Sequence, residues 1–108
     1  MYNISSPRTD EAAVEAEIIA KGLTAPRLTP ASIDATIVGA EYVVMNDVVT
    51  VCCLKLRNGF TVVGESACAS PENFDRELGQ KIAYANAREK IWALEGYLLK
   101  ERLSGGKA

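Results

Sequence analysis

The side chains of this 108-residue chain that could carry chemistry are few, and histidine is absent altogether. Without it, the usual general base for a serine or cysteine nucleophile is missing, and so is the commonest nitrogen ligand for zinc. The three cysteines, Cys52, Cys53 and Cys68, are an odd number with no CxxC spacing. Adjacent strand residues point to opposite faces, so Cys52 and Cys53 are poor partners for each other. These thiols read as reduced and buried, with no metal site, no cofactor and no catalytic residue expected. Carboxylates and lysines are present, but no pair of them is marked out by an apolar, strand-end or glycine-rich setting.

What remains are groups suited to holding a ligand. Arg57 and Phe60 flank Asn58-Gly59, Asn73 lies beside Pro71 at a helix start, and Arg88 lies within the helix that follows. An exposed aromatic next to a guanidinium can stack on a base and pair with its phosphate. The ordinary alternative for Phe60 is a core aromatic at a strand start. A helix start offers free amides to a phosphate, unless Ser70 and Glu72 satisfy them internally. Arg76 reads as solvated surface. For Arg88 the ordinary role is an intrahelical pair with Tyr84 or Glu95.

The elements that must position these groups can be read from periodicity and turn residues. Thr9 before DEAAVEAEIIAKG predicts an N-capped helix of about three turns, with acids in its first turn and Gly22 as its stop. Thr29-Pro30 then predicts a second, short helix over ASIDATIVG, closing at Gly39, with Ile33 and Ile37 facing the core. From Glu41 the pattern changes to β-branched and aromatic runs, EYVVM, VVTVCCLKL and FTVVGES, separated by Asn46-Asp47 and Asn58-Gly59. These predict a three-stranded antiparallel meander. A two-residue Asn-Gly loop would place Arg57 opposite Phe60 and Lys55 opposite Val62. Leu54 and Leu56 would then share the other, core-facing side with Thr61 and Val63.

Ser70-Pro71-Glu72-Asn73 predicts the start of a long amphipathic helix running to about Leu103, with Ser70 capping the amide of Asn73. Phe74, Leu78 and Ile82 form one apolar line, Tyr84, Ala87, Ile91, Leu94 and Leu98 a second, and Trp92, Leu99 and Leu103 a third. One sheet cannot cover all three, so the helix is expected to pack on another element or another subunit. The fold class is therefore α+β: short N-terminal helices, the meander and a long C-terminal helix, forming one domain over residues 1–108 with flexible termini at 1–8 and 104–108.

Twelve basic and fourteen acidic residues leave a net charge of −2, which gives no general attraction to a nucleic acid polymer or an anionic membrane. No apolar run approaches the ~20 residues of a membrane span, and MYNISSPRTD lacks the order of a signal peptide. A cytosolic location is expected.

The strings LTAPRLTPASIDATI and LRNGFTVVGESACASPENFDRELGQKIAYANAREKIWALEGYLL resemble a family of small conserved tailed-bacteriophage proteins. The likeness is most specific at NGF, GESAC, PENFD, Lys90-Ile91-Trp92 and Leu94-Glu95-Gly96-Tyr97-Leu98. The chain also resembles, more distantly, the phage anti-defence proteins that sequester the cyclic ADP-ribose signal of the Thoeris system. That resemblance implies a non-enzymatic sponge in the host cytoplasm, a homo-oligomer associating through its C-terminal helix and enclosing a cyclic nucleotide between subunits. It would assign base and phosphate contacts to Phe60, Asn73 and Arg88, with Arg57 added on chemical grounds. The alternative is a phage regulatory module that binds a host protein through the apolar face of the last helix.

Overall fold

In a computed structural model, residues 2–3 and 10–105 are described, the first two as backbone only. In chain order the elements are β1 (Tyr2–Asn3), α1 (Glu11–Ala20), α2 (Pro30–Thr36), β2 (Ile37–Met45), β3 (Val49–Leu56), β4 (Thr61–Cys68), a 3-10 turn (Pro71–Asn73) and α3 (Arg76–Leu103). The strands form one antiparallel sheet of order β1-β4-β3-β2. This is the expected α+β fold with its meander and long last helix. The two-residue strand β1, which joins the outer edge of β4, was not expected. The rest of the termini expected to be flexible, apart from Ser104 and Gly105 at the end of α3, lies outside the described residues.

α3 lies antiparallel along β4 and covers one face of the sheet. Its buried residues are Gly79, Ala83, Ala87 and Ile91, spaced by four. Four helical residues rise about 6 Å and two strand residues about 6.6 Å, so each helical turn matches one inward-facing strand position. Ser66 donates from its hydroxyl to the Gly79 carbonyl at 2.8 Å. Gly64 lies against Ala83 and Ala87 so closely that a Cβ on it would fall 2.2 Å from the Ala87 nitrogen. Beyond it Ile91 packs with Cys52, Leu54, Leu56 and Val62, and Ile33 of α2 closes the core.

α3 also guards the edge of β4. The Asn86 amide donates to the Glu65 carbonyl and the Lys90 ammonium to the Val63 carbonyl, so two groups of this strand's outer edge are satisfied by the helix.

Several boundaries differ from expectation. The cap of α1 is Asp10, whose carboxylate accepts from the Ala13 amide, while Thr9 lies outside the described residues. α2 has the expected Thr29 cap, reinforced by Ser32, but stops at Thr36. Ile37 begins β2, and Gly39 pairs within the sheet instead of ending a helix. β-branched Ile37-Val38 favour a strand, and Ile37 reaches the core from there. Ser70 makes no side-chain cap; Asp75 takes that role, accepting from the Leu78 amide at 2.9 Å, so α3 begins at Arg76. Asp75 is a strong capping residue, and Phe74 before it is extended, which breaks the helix expected from Pro71.

The most consequential difference is at Asn58-Gly59. Only Gly59 has positive φ, at 90°, and Leu56 exchanges backbone hydrogen bonds with Phe60 and Gly59. The loop is therefore three residues long, Arg57 to Gly59, with Leu54 opposite Val62 and Lys55 opposite Thr61. The register is one residue away from the expected one, which exchanges the faces of β4. Val62 joins Leu54 and Leu56 in the core, and Val63 faces the other way.

Among the described residues, no helix covers the far face of the sheet. Substituting alanine at Gly64 should lower stability by ~3 kcal/mol or prevent folding, because the methyl group meets helix backbone that cannot rotate aside. At Gly39, where a Cβ would sit 3.9 Å from its nearest neighbour, the same substitution should cost less than ~1 kcal/mol. Urea unfolding midpoints distinguish the two.

Candidate functional site

The corrected register carries Phe60 to the helix side of the sheet, past the end of the core. There it meets the last turns of α3 in a cleft of about 260 Å³ formed by Leu56, Arg57, Asn58, Phe60, Leu94, Glu95, Tyr97 and Leu98. Phe60 is 55% and Tyr97 77% exposed, so two aromatic rings border one concavity with much of their surface in water. The loop is held in place: the Asn58 side-chain oxygen accepts from the Phe60 amide, and the Arg57 amide donates to the Thr36 carbonyl at the end of α2. The Arg57 guanidinium approaches Glu95 at 3.4 Å and is half exposed. Such an ion pair is weak, and an incoming anion can compete for the guanidinium. The cleft can therefore take a planar aromatic group on its rings and an anionic substituent at Arg57.

Among the described residues, the sequence-predicted set does not converge. Phe60 and Arg57 share the cleft. Asn73 is exposed in the 3-10 turn beyond the opposite end of β4, a strand whose eight residues span roughly 23 Å. The residues that complete the cleft, Tyr97 and Glu95 above all, were missed in the sequence. Tyr97 belongs to none of the three apolar lines, and only the meeting of hairpin tip and helix gives it a role.

Arg88 forms a separate centre. Its Nε donates to Asp34 at 2.7 Å, one terminal nitrogen to Glu11 at 2.9 Å and the other to the Pro30 carbonyl at 3.2 Å. These contacts and Glu11 above all hold its pKa far above the usual arginine value, against the opposing effect of burial. One guanidinium thus ties α1, α2 and α3 together, in place of the expected pair with Tyr84 or Glu95. The neighbouring Tyr84 is pushed up by burial first and by Asp34 second.

A larger hollow, about 510 Å³, lies between α1, the segment through Pro26 and Leu28, and Trp92, Gly96 and Leu99 of α3. α1 buries no residue. It is held beside this hollow by Arg88 and by a two-toothed pair in which Arg27 donates to both Glu15 oxygens at 2.8 and 2.9 Å. The hydrogen bond from Arg27 lowers the Glu15 pKa.

The three cysteines are free, as expected. Cys52 and Cys68 are buried and Cys53 is partly exposed on the opposite face. Burial raises the Cys52 thiol pKa, which Tyr42 partly offsets, and the Cys68 thiol donates to the Ser70 carbonyl. Among the described residues there is no cluster of metal-ligating side chains, and no helix is long and apolar enough to cross a membrane.

Residues 28–103 match the model of a phage protein family, that of N4 Gp49 and phage Sf6 gene 66. The match begins at Leu28, after α1, and takes in the whole cleft together with Arg88, Asp34 and Pro30, but not Glu11. No curated protein and no solved structure matches the chain.

Two outcomes follow from the way α1 is attached. Replacing Arg88 with methionine should lower stability by ~1–2 kcal/mol, since it leaves Glu11 and Asp34 without their cation. Hydrogen exchange should show α1 losing protection before the sheet does. Glu15 has a lower pKa folded than unfolded, so its contribution is complete above the unfolded value and fades as pH falls through the folded one. Acidification below the usual carboxylate range should therefore speed exchange in α1 first, and Glu15→Gln should remove that part of the pH dependence.

Proposed function

The chain belongs to the phage protein family of N4 Gp49 and Sf6 gene 66, and on that premise we propose that it is a non-enzymatic counter-defence protein that sequesters a cyclic nucleotide signal in the host cytoplasm. The ligand class comes from the resemblance to the Thoeris anti-defence sponges, a cyclic ADP-ribose isomer first and cyclic oligonucleotides second. The observation that carries the reading is the cleft at the hairpin tip, where Phe60, Tyr97 and Arg57 offer stacking surface and a cation together.

Adenine would lie on the rings, with a phosphate exchanging for Glu95 at Arg57. The cleft, at about 260 Å³, is just below the ~300–1,000 Å³ of whole-ligand pockets. It matches a base with part of its ribose, so the remainder of a cyclic nucleotide needs a further surface. Asn73 of a second copy is the sequence-predicted residue still free to contribute one. Each of the three Arg88 nitrogens donates within the chain, and Arg88 is assigned to the structure of the fold instead.

A second reading, a module binding a host protein through the last helix, is favoured by Leu103, which is exposed outside the cleft. It predicts a heterocomplex lost on Leu103→Glu and kept on Phe60→Ala.

Calorimetric titration with cyclic ADP-ribose isomers and cyclic oligonucleotides tests the sponge. Phe60→Ala should weaken binding ~10- to 100-fold, the range of one stacked base. Arg57→Gln should weaken it too, while Arg88→Met should alter stability and leave affinity for the folded protein within ~3-fold. Absence of binding by every one of these nucleotides refutes the proposal.

A further inference from the structure

The sheet has a second face, and its composition is unusual for one turned to water. The row formed by Met45, Val49 and Ala67, the row formed by Val43, Val51 and Glu65, and the row formed by Glu41, Cys53 and Val63 all point away from α3. Solvated sheet faces normally alternate polar residues outward, yet here the middle of the face is aliphatic. Val43 is 57%, Met45 51% and Val63 42% exposed. The only charges in this patch are Glu41, Glu65 and Lys55 in the next row, and none of the three makes a salt bridge among the described residues.

The dimensions are those of two layers with this face left open. The chain is 17 Å through its thinnest axis, the depth of one sheet and one helix. Its Cα radius of gyration is 16.2 Å, against about 13 Å for a compact chain of this length.

We propose that this face is the interface with a second copy of the chain, two sheets packing face to face with the α3 helices outside. The charges select the arrangement. With the two-fold axis parallel to the strands, Lys55 would face its own counterpart. With the axis running across the strands, strand direction inverts, and Lys55 comes over the row of Val49. It then lies one strand and one row from Glu65 of the partner subunit, within reach of a lysine and a glutamate side chain, and symmetry makes the pair twice. Three strands by four rows, β2 to β4, give a footprint of roughly 390 Å² per copy, or about 780 Å² for the pair, the size of a weak, concentration-dependent association. The interface differs from the expected association through the last helix and leaves the hairpin-tip cleft open.

Light scattering during gel filtration of the full chain at 1–100 µM tests the proposal. The wild type should run as a dimer of about 23 kDa, twice the 11.6 kDa chain. Val51→Lys should give a monomer with an unchanged far-ultraviolet spectrum. Lys55→Glu and Glu65→Lys should each weaken association ~10-fold, and the double exchange should restore it, a result that misfolding cannot produce. A wild type that stays monomeric at 100 µM overturns the proposal. So does a dimer that survives Val51→Lys, which would place the contact on the last helix or on the β2 edge, and so does a double exchange that restores nothing.

Discussion

The contact on which the rest of the molecule depends is the one between Gly64 and the backbone of α3 at Ala83 and Ala87. A side chain at that position would hold the helix off the sheet by the width of a methyl group. Because there is none, the helix settles with its small residues, Gly79, Ala83 and Ala87, directly on β4. Ser66 can then reach the Gly79 carbonyl, and Asn86 and Lys90 can reach carbonyls on the strand's outer edge. None of these bonds survives a displacement of a few ångströms. The single close approach therefore fixes the helix along, across and above the strand at once.

The same contact determines what happens beyond the core. α3 has 28 residues, about 42 Å of helix, while β4 is roughly 23 Å long. With Gly79 pinned at Ser66, the excess falls at the C-terminal end, past Ile91. That overhang is where Leu94, Glu95, Tyr97 and Leu98 meet the hairpin tip on one side and Trp92, Gly96 and Leu99 face α1 on the other. Much of the apolar surface of this overhang is thus divided between two hollows, while Leu78 and Leu103 lie outside both. α1 adds little apolar burial of its own, and its attachment rests on Arg88 and the Arg27 pair.

Much of this was legible in the sequence, for local reasons. Thr29-Pro30, Gly22 and the β-branched runs depend on nearest neighbours, and they predicted α2's start, α1's stop and the meander. What was not legible depended on competition between neighbours or on distant contacts. Asn58-Gly59 suits a two-residue loop, but Asn58 turned its side chain to the Phe60 amide and left positive φ to Gly59 alone, which moved the register by one. Asp75 displaced Ser70 as the cap because its carboxylate accepts from the Leu78 amide three residues on, whereas Ser70 makes no such bond. Arg88 looked like a ligand group in the sequence because its acceptors, Glu11, Asp34 and the Pro30 carbonyl, are 54 to 77 residues away.

The register shift matters for function more than any boundary. In a two-residue loop, Phe60 and Arg57 would sit side by side on a strand face, and the aromatic ring would have no opposing wall. In the three-residue loop, Phe60 points to the same side as Val62 and Leu56 and faces the helix overhang, while Arg57 is carried in the turn with its amide tied to Thr36. A ring facing a wall can enclose a planar ligand on both sides, whereas a ring on an open face can cover only one. Enclosure excludes water, and an ion pair at Arg57 gains strength as water is removed. Even so, a nanomolar dissociation constant corresponds to about −12 kcal/mol, and one stacked base at ~1–3 kcal/mol with one charged hydrogen bond falls well short of it. Tight capture therefore requires further walls around the cleft, and the sheet-to-sheet pairing, which leaves the hairpin tip open, does not supply them.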